Sequence, residues 1–226
     1  MAPTSPNAHD KKDRAPRRGS AEISSARPRQ MAPEERKKQI VDVTLGLIGK
    51  HGIQGVTTAR IAAAAGVAEP TLYRHFGSRR GMLLAVLEVV RAQAAAITGS
   101  SQNPDVLERI REIGEAHRAN LIRHKRGFAD PFFEFVTAPA SLGLRDDLRE
   151  VNQSLLNRMV AIIDEGKSQG SIQPEIDSVE AAWRITGFFW FEDVAHLLGV
   201  QDEVLSGPSI KSLESIITEI AARPPA

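Results

Sequence analysis

From Pro33 to the C-terminal region, sizeable apolar side chains recur three and four residues apart, and no sustained period-2 alternation interrupts them. That spacing lines up one face of a 3.6-residue turn, whereas strands need a period of two, so an all-α fold is expected. Ile40, Val43, Thr44, Leu47 and Ile48 form the first stripe. Pro33 suits its first turn, Glu34 and Glu35 suit the positive end of the helix, and Gly52 ends it. Thr57 is a natural N-cap for "TARIAAAA", Gly66 with Val67 makes a tight turn, and a third helix runs from about Ala68 to Phe76. Gly77 can supply a left-handed residue, and Ser78 can cap a fourth helix through "RRGMLLAVLEVVRAQAAAI".

The remainder also reads as helices. Val106, Ile110, Ile113, His117, Leu121 and His124 form one stripe, and Leu148, Val151, Leu155, Met159 and Ile162 form another, closed by Gly166 and Gly170. Between them Pro131, Pro139 and Gly143 restrict "GFADPFFEFVTAPASLG" to a short helix flanked by loops. The last two helices are expected at Ser178 to Leu198 and Pro208 to Ala222, with a Gly/Ser/Pro link at Ser206 to Pro208.

Charge divides the chain more sharply than its net +1 suggests. Residues 1–80 carry 15 Lys plus Arg against 7 Asp plus Glu, a net +8; residues 81–226 carry 14 against 21, a net −7. A basic head on an acidic body suggests a polyanion-binding part joined to one with no electrostatic reason to touch a polyanion. Residues 1–32, rich in Pro, Ser, Ala and basic groups, cannot offset their ordering entropy and are expected to form a disordered basic tail, either solvated or gripping DNA nonspecifically. The absence of cysteine excludes disulfides, thiolate zinc sites and cysteine nucleophiles, and suits a cytoplasmic location. The first 30 residues lack the apolar run of a signal peptide, and no stretch is expected to span a membrane, which needs ~20 apolar residues.

The segment "GVTTARIAAAAGVAEPTLYRHF", Gly55 to Phe76, has the layout of a helix-turn-helix. Small Ala62 permits a close crossing, Gly66 the turn, and Ile61, Val67 and Leu72 a small core. Thr71, Tyr73, Arg74 and His75 then project from the helix that this geometry lays in the DNA major groove. Similar layouts occur as plain packing corners, but the basic surplus favours the DNA-binding reading.

These residues resemble the DNA-binding domain of the TetR (tetracycline-repressor) family of bacterial transcriptional regulators, in the pattern "TT…IA…AGV…PTLYRHFGSRR…LL" within residues 33–80. The resemblance implies an all-helical fold with a tail at 1–32, a helix-turn-helix domain at 33–79 and a helical effector-binding and dimerisation domain at 80–226. It implies phosphate contacts from Thr57, Thr58, Tyr73 and His75, and from Arg79, which stands where a lysine usually grips the backbone. Base reading falls to the first turn of the third helix. Pro70 and the Thr71 methyl can touch thymine, Glu69 can accept from cytosine or simply favour the helix dipole, and Arg74 can donate to guanine or phosphate. Ala59 and Glu69 replace an arginine and a glutamine of the family's namesake, so the operator is expected to differ.

The body offers two further features. Phe188, Trp190, Phe191, Val194 and Leu198 lie in a helix that is apolar on every side, which calls for burial on every side. With Leu213 and Ile217 of the last helix they are expected to form a four-helix homodimer interface. His117, His124, Phe132, Phe133, Trp183 and Phe189 are candidate walls of an effector pocket, although aromatics at helical spacing also serve as core. No metal site and no cofactor are expected. The partners called for are an operator in double-stranded DNA, a second copy of the chain and an unknown small-molecule effector, with no membrane.

A ligand-released repressor is the reading favoured over a constitutive DNA-binding protein without an effector. A small helical enzyme is disfavoured, because no Gly-rich phosphate loop, "HExxH" or "GxSxG" occurs.

Overall fold

The computed structural model describes residues 31–123, 129–200 and 207–222, and all regular elements among them are helical. The expectations for the basic tail at 1–30, for His124 and for Ser206 lie outside the described residues. The helices are α1 (Pro33–His51), α2 (Thr58–Ala65), α3 (Glu69–Phe76), α4 (Arg79–Thr98), α5 (Val106–Arg123), α6 (Ala129–Val136), α7 (Arg145–Gln169), α8 (Ser178–Leu197) and α9 (Pro208–Ile220). A single 3-10 turn, Ala140–Leu142, links α6 to α7.

The local signals set most boundaries. The Thr57 hydroxyl accepts the Arg60 N–H at the start of α2, and the Ser78 hydroxyl accepts the Gly81 N–H at the start of α4. Gly66 adopts φ 64°, ψ 36° and its N–H returns to the end of α2, a left-handed closure that β-carbon-bearing residues resist. Gly166 departs from its expected role: α7 runs through it to Gln169, and Gly170 closes the helix instead. A β-carbon at Gly166 would lie 2.6 Å from Ile172 Cδ1 and 3.0 Å from Val106 Cγ1. Gly166 is therefore where α7 admits its neighbours, at the usual cost of glycine inside a helix.

The described residues from Pro33 onward form one compact unit containing two apolar clusters. The first gathers Ile40 and Ile48 of α1, Ile61 of α2, Leu72 of α3 and Met82, Leu83 and Val86 of α4, and continues into Phe132 and Phe135 of α6. The second joins α5, the later half of α7, α8 and α9 around Ile113, Met159, Ile185 and Ile217. α4 packs on α1, α3, α5, α6 and α7, so it reaches both ends of the unit. By length and composition alone it could also cross a bilayer, contrary to expectation, yet its Met82, Leu83, Val86, Leu87 and Val90 are buried in protein.

Candidate functional site

α3 is short, and Leu72 is its only buried residue. Pro70, Tyr73 and Arg74 are exposed, with Tyr73 at 48%, while Glu69, Thr71 and His75 are half-buried. Arg74 Nη2 donates to Thr71 Oγ1 at 3.2 Å, so the two expected base contacts lie side by side. Thr57 is exposed and Thr58 half-buried at the start of α2. As the accepting N-cap, the Thr57 hydroxyl keeps its own proton to donate outward.

Arg79 corrects the sequence reading. Its Nε donates to the Val56 carbonyl at 3.2 Å and its Nη2 to the Ile53 carbonyl at 3.0 Å. The half-buried guanidinium fastens α4 to the α1–α2 loop rather than standing free for phosphate. Arg80 is also engaged, with Gly143 O at 3.1 Å and Asp147 Oδ2 at 2.6 Å. On the other side of the loop, the Ile53 N–H donates to Glu134 Oε2 of α6 at 2.8 Å. Glu134 was not singled out by the sequence, since nothing local reveals a partner 81 residues away.

The body holds a cavity of about 460 Å³ bordered by α4, α5, α6, α7 and α8. His117, Phe132, Trp183 and Phe189 lie on its wall. Phe133 does not: it faces the other side of α6, where it borders a separate space with Glu134 and packs near Leu121. Trp190 is also reassigned. It is half-buried on the cavity wall, with its ring 5.1 Å from Phe132 and 5.6 Å from Phe133, rather than presented to a partner.

The cavity's polar end was missed by the sequence reading. His117 Nε2 is 3.4 Å from Asp193 Oδ1 and 3.6 Å from Glu192 Oε2, and all three residues are buried. Arg118 Nη1 lies 3.5 Å from Glu192 Oε1, which also accepts the Ser209 hydroxyl. Burial raises Asp193 to about 8, with the Glu192 charge adding to the effect, and it raises Glu192 too. Burial lowers His117 to about 4, against a hydrogen bond that its ring donates to the Phe189 backbone and with Arg118 pushing the same way as burial. At neutral pH the His117–Asp193 contact therefore joins a neutral imidazole to a protonated carboxyl, not two ions. The usable signal was "FEDV": adjacent carboxylates inside an otherwise apolar helix.

The expected dimer residues divide. Phe191 is 59% exposed and Leu198 72% exposed; Phe188 and Val194 are half-buried. Leu213 and Ile217 are 2% and 0% exposed within their own subunit, so they are core residues and unavailable to a second copy. Leu213 fills the space beside Gly114 of α5, where a β-carbon would collide with it.

A capped helix-turn-helix with a polar outer face, joined by one long helix to a helical body around a cavity, defines a DNA-binding regulator class. Residues 40–86 match the family described as "Bacterial regulatory proteins, tetR family". Over these residues the chain carries a DNA-binding domain of the tetR type. It is 36% identical over 73 residues to the nucleoid occlusion factor SlmA of Haemophilus ducreyi, covering 32% of this chain and only 36% of that protein. It is 27% identical over 184 residues to the HTH-type transcriptional regulator YvkB of Bacillus subtilis, covering 78% and 90% of the two chains. The fold is similar to that of FadR from Bacillus subtilis, solved in complex with stearoyl-CoA, at TM-score 0.69 and 22% identity over 81% of this chain and 98% of that one. A TetR regulator from Haloarcula marismortui gives TM-score 0.70 at 14% identity, over 83% and 99%.

Proposed function

We propose that the chain is a cytoplasmic homodimeric repressor that reads a palindromic operator through α3 and leaves it when a small molecule fills the cavity. The observation that carries this reading is the division of α3, which buries Leu72 and exposes Pro70, Tyr73 and Arg74 on a basic head. Thr57, Thr58, Tyr73 and His75 position the domain on phosphates, while Glu69, Pro70, Thr71 and Arg74 meet base edges. One eight-residue helix makes few base contacts, so two copies on two half-sites are needed for specificity. Phe191, Leu198 and the outward side of Val194 supply the face for the second copy, with Phe188 at its edge.

The cavity favours effector control over constitutive binding, because its walls include α4 and α6, and both helices hold the Ile53 segment of the head. An effector releases DNA only as far as it prefers the arrangement in which the two reading helices no longer match the half-sites. The similar fold of FadR, crystallised with stearoyl-CoA, supports a body of this kind receiving a small molecule with a large apolar part.

Selection of bound sequences from random DNA tests the reading. The expected result is a two-fold symmetric site with half-sites about one helical turn apart, or a multiple of it. Affinity should fall by roughly 10³ or more between 50 and 200 mM salt, for about six or more phosphate contacts. A site without symmetry, or affinity indifferent to salt, overturns it.

A further inference from the structure

The cavity brings a buried carboxyl, an imidazole and several aromatic rings to one apolar space, and their chemistry restricts what can occupy it. Asp193 and His117 are 7% and 6% exposed, both lie on the wall, and Asp193 Oδ1 and His117 Nε2 have no hydrogen-bond partner. Their 3.4 Å separation brings them together without good hydrogen-bond geometry. Glu192 differs in lying off the cavity wall, with its Oε1 accepting the Ser209 hydroxyl and Arg118 Nη1 3.5 Å away. Asp193 is thus the acidic group left facing the space, and a buried polar group without a partner is costly until one arrives.

The opposite walls suit a cation as well. Trp183, Trp190, Phe132 and Phe189 border the same space, and the faces of aromatic rings attract ammonium groups, indoles most strongly. Ile97, Val151 and Leu155 complete an aliphatic surface fit for a hydrocarbon body. An anionic head group would find no lysine or arginine on the wall, since Arg118 is turned toward Glu192 and does not reach it.

We propose that the cavity binds an amphipathic organic cation, with an ammonium centre against Asp193 and between the aromatic rings, and with its hydrocarbon part along α4 and α7. The assignment rests on the reading of the cavity as the effector site and names the chemical class of that effector. Binding moves one proton: the cation displaces the one that Asp193 carries, which passes to solvent and leaves a carboxylate opposite the ammonium. The groups around that proton are His117 and Arg118 from α5, Glu192 and, one turn later, His196 from α8, and Ser209 from α9.

Three probes with one chain and different heads test the assignment: decyltrimethylammonium, decanol and decanoate, each below its micelle concentration. The chain's two tryptophans both lie on the cavity wall, so tryptophan fluorescence reports occupancy directly. The expected result is that the full-length protein binds the ammonium at least tenfold more tightly than the alcohol or the acid. Asp193→Asn should remove that advantage, bringing the affinity for the ammonium to within about twofold of that for decanol. Calorimetry of the wild-type protein in two buffers of different ionisation heat gives a second readout independent of the variant's folding, with proton release expected for the ammonium and none for decanol. Equal affinity for the three heads, a preference for decanoate, or ammonium binding without proton release overturns the cation assignment and leaves an effector cavity standing. No fluorescence response to any probe overturns both the assignment and the effector reading beneath it.

Discussion

α3 and α8 are built on opposite plans. α3 buries one leucine and turns its tyrosine, arginine and proline outward. α8 does the reverse: Glu192 and Asp193 are buried while Trp183 is 66% exposed and Phe191 and Leu198 stand in solvent beside it. Water satisfies the outward polar groups of α3 before any partner arrives, so that helix is complete in a lone subunit. α8 is not complete in that sense. Its buried carboxylates lack full compensation and its large apolar groups lack cover, the pattern of an element shaped by what binds it.

The contrast is most exposed to test at the outward face of α8. Phe191→Asp should give a folded monomer that binds its operator at least a hundredfold more weakly, read by light scattering and by DNA titration. Leu213→Ala, in the subunit's own core, should cost about 3 kcal/mol of stability and leave the oligomeric state alone. If Phe191→Asp stays dimeric, or Leu213→Ala dissociates the dimer, the division between covered and uncovered faces is wrong.

A smaller effect is expected where the body holds the head. Glu134→Ala leaves the partly buried Ile53 N–H without its acceptor, and should lower stability by about 1 to 2 kcal/mol in denaturant unfolding. It should also weaken the linkage between ligand and DNA, measured as the ratio of operator affinities with and without ligand. An unchanged ratio would leave Glu134 a stabilising contact without a part in release.

The smallest effect is the pH dependence of stability that α8's inverted plan creates. Unfolding returns Asp193 from about 8 to 3.8 and His117 from about 4 to 6.5. Between pH 4 and 6.5 the folded chain keeps the Asp193 proton but lacks the His117 one, so the two contributions oppose. Between pH 6.5 and 8 the Asp193 difference persists alone, the folded state holds more protons, and stability falls as pH rises, by at most about 1.4 kcal/mol per pH unit. Glu192, also raised, acts in the same direction. Denaturant midpoints across that window should decline in the wild-type protein and flatten in Asp193→Asn; parallel slopes in the two proteins would refute the assignment.

The helices were legible because their starts and stops are chemical and local: Thr57 and Ser78 cap, and Gly66 and Gly170 close. Gly166 misled because a glycine needed for close approach looks, in sequence, like one needed for a turn. The α8 pattern misled differently. Trp190 and Phe191 are neighbours about 100° apart on the helix, so periodicity shows both as apolar but not which meets the cavity and which meets solvent. Arg79 illustrates the remaining limit. A basic residue beside a reading helix suits phosphate equally well, and its true acceptors lie 23 and 26 residues earlier in a loop no local pattern locates.

Ile53 is held from two directions: its N–H by Glu134 of α6, its carbonyl by Arg79 of α4. Both helices also wall the cavity, through Phe132 and through Ala94, Ile97 and Thr98. A displacement that moved α4 and α6 unequally would pull its two peptide groups in different directions. Ile53 therefore stands where an offset between the two helices would be felt as strain on a single residue.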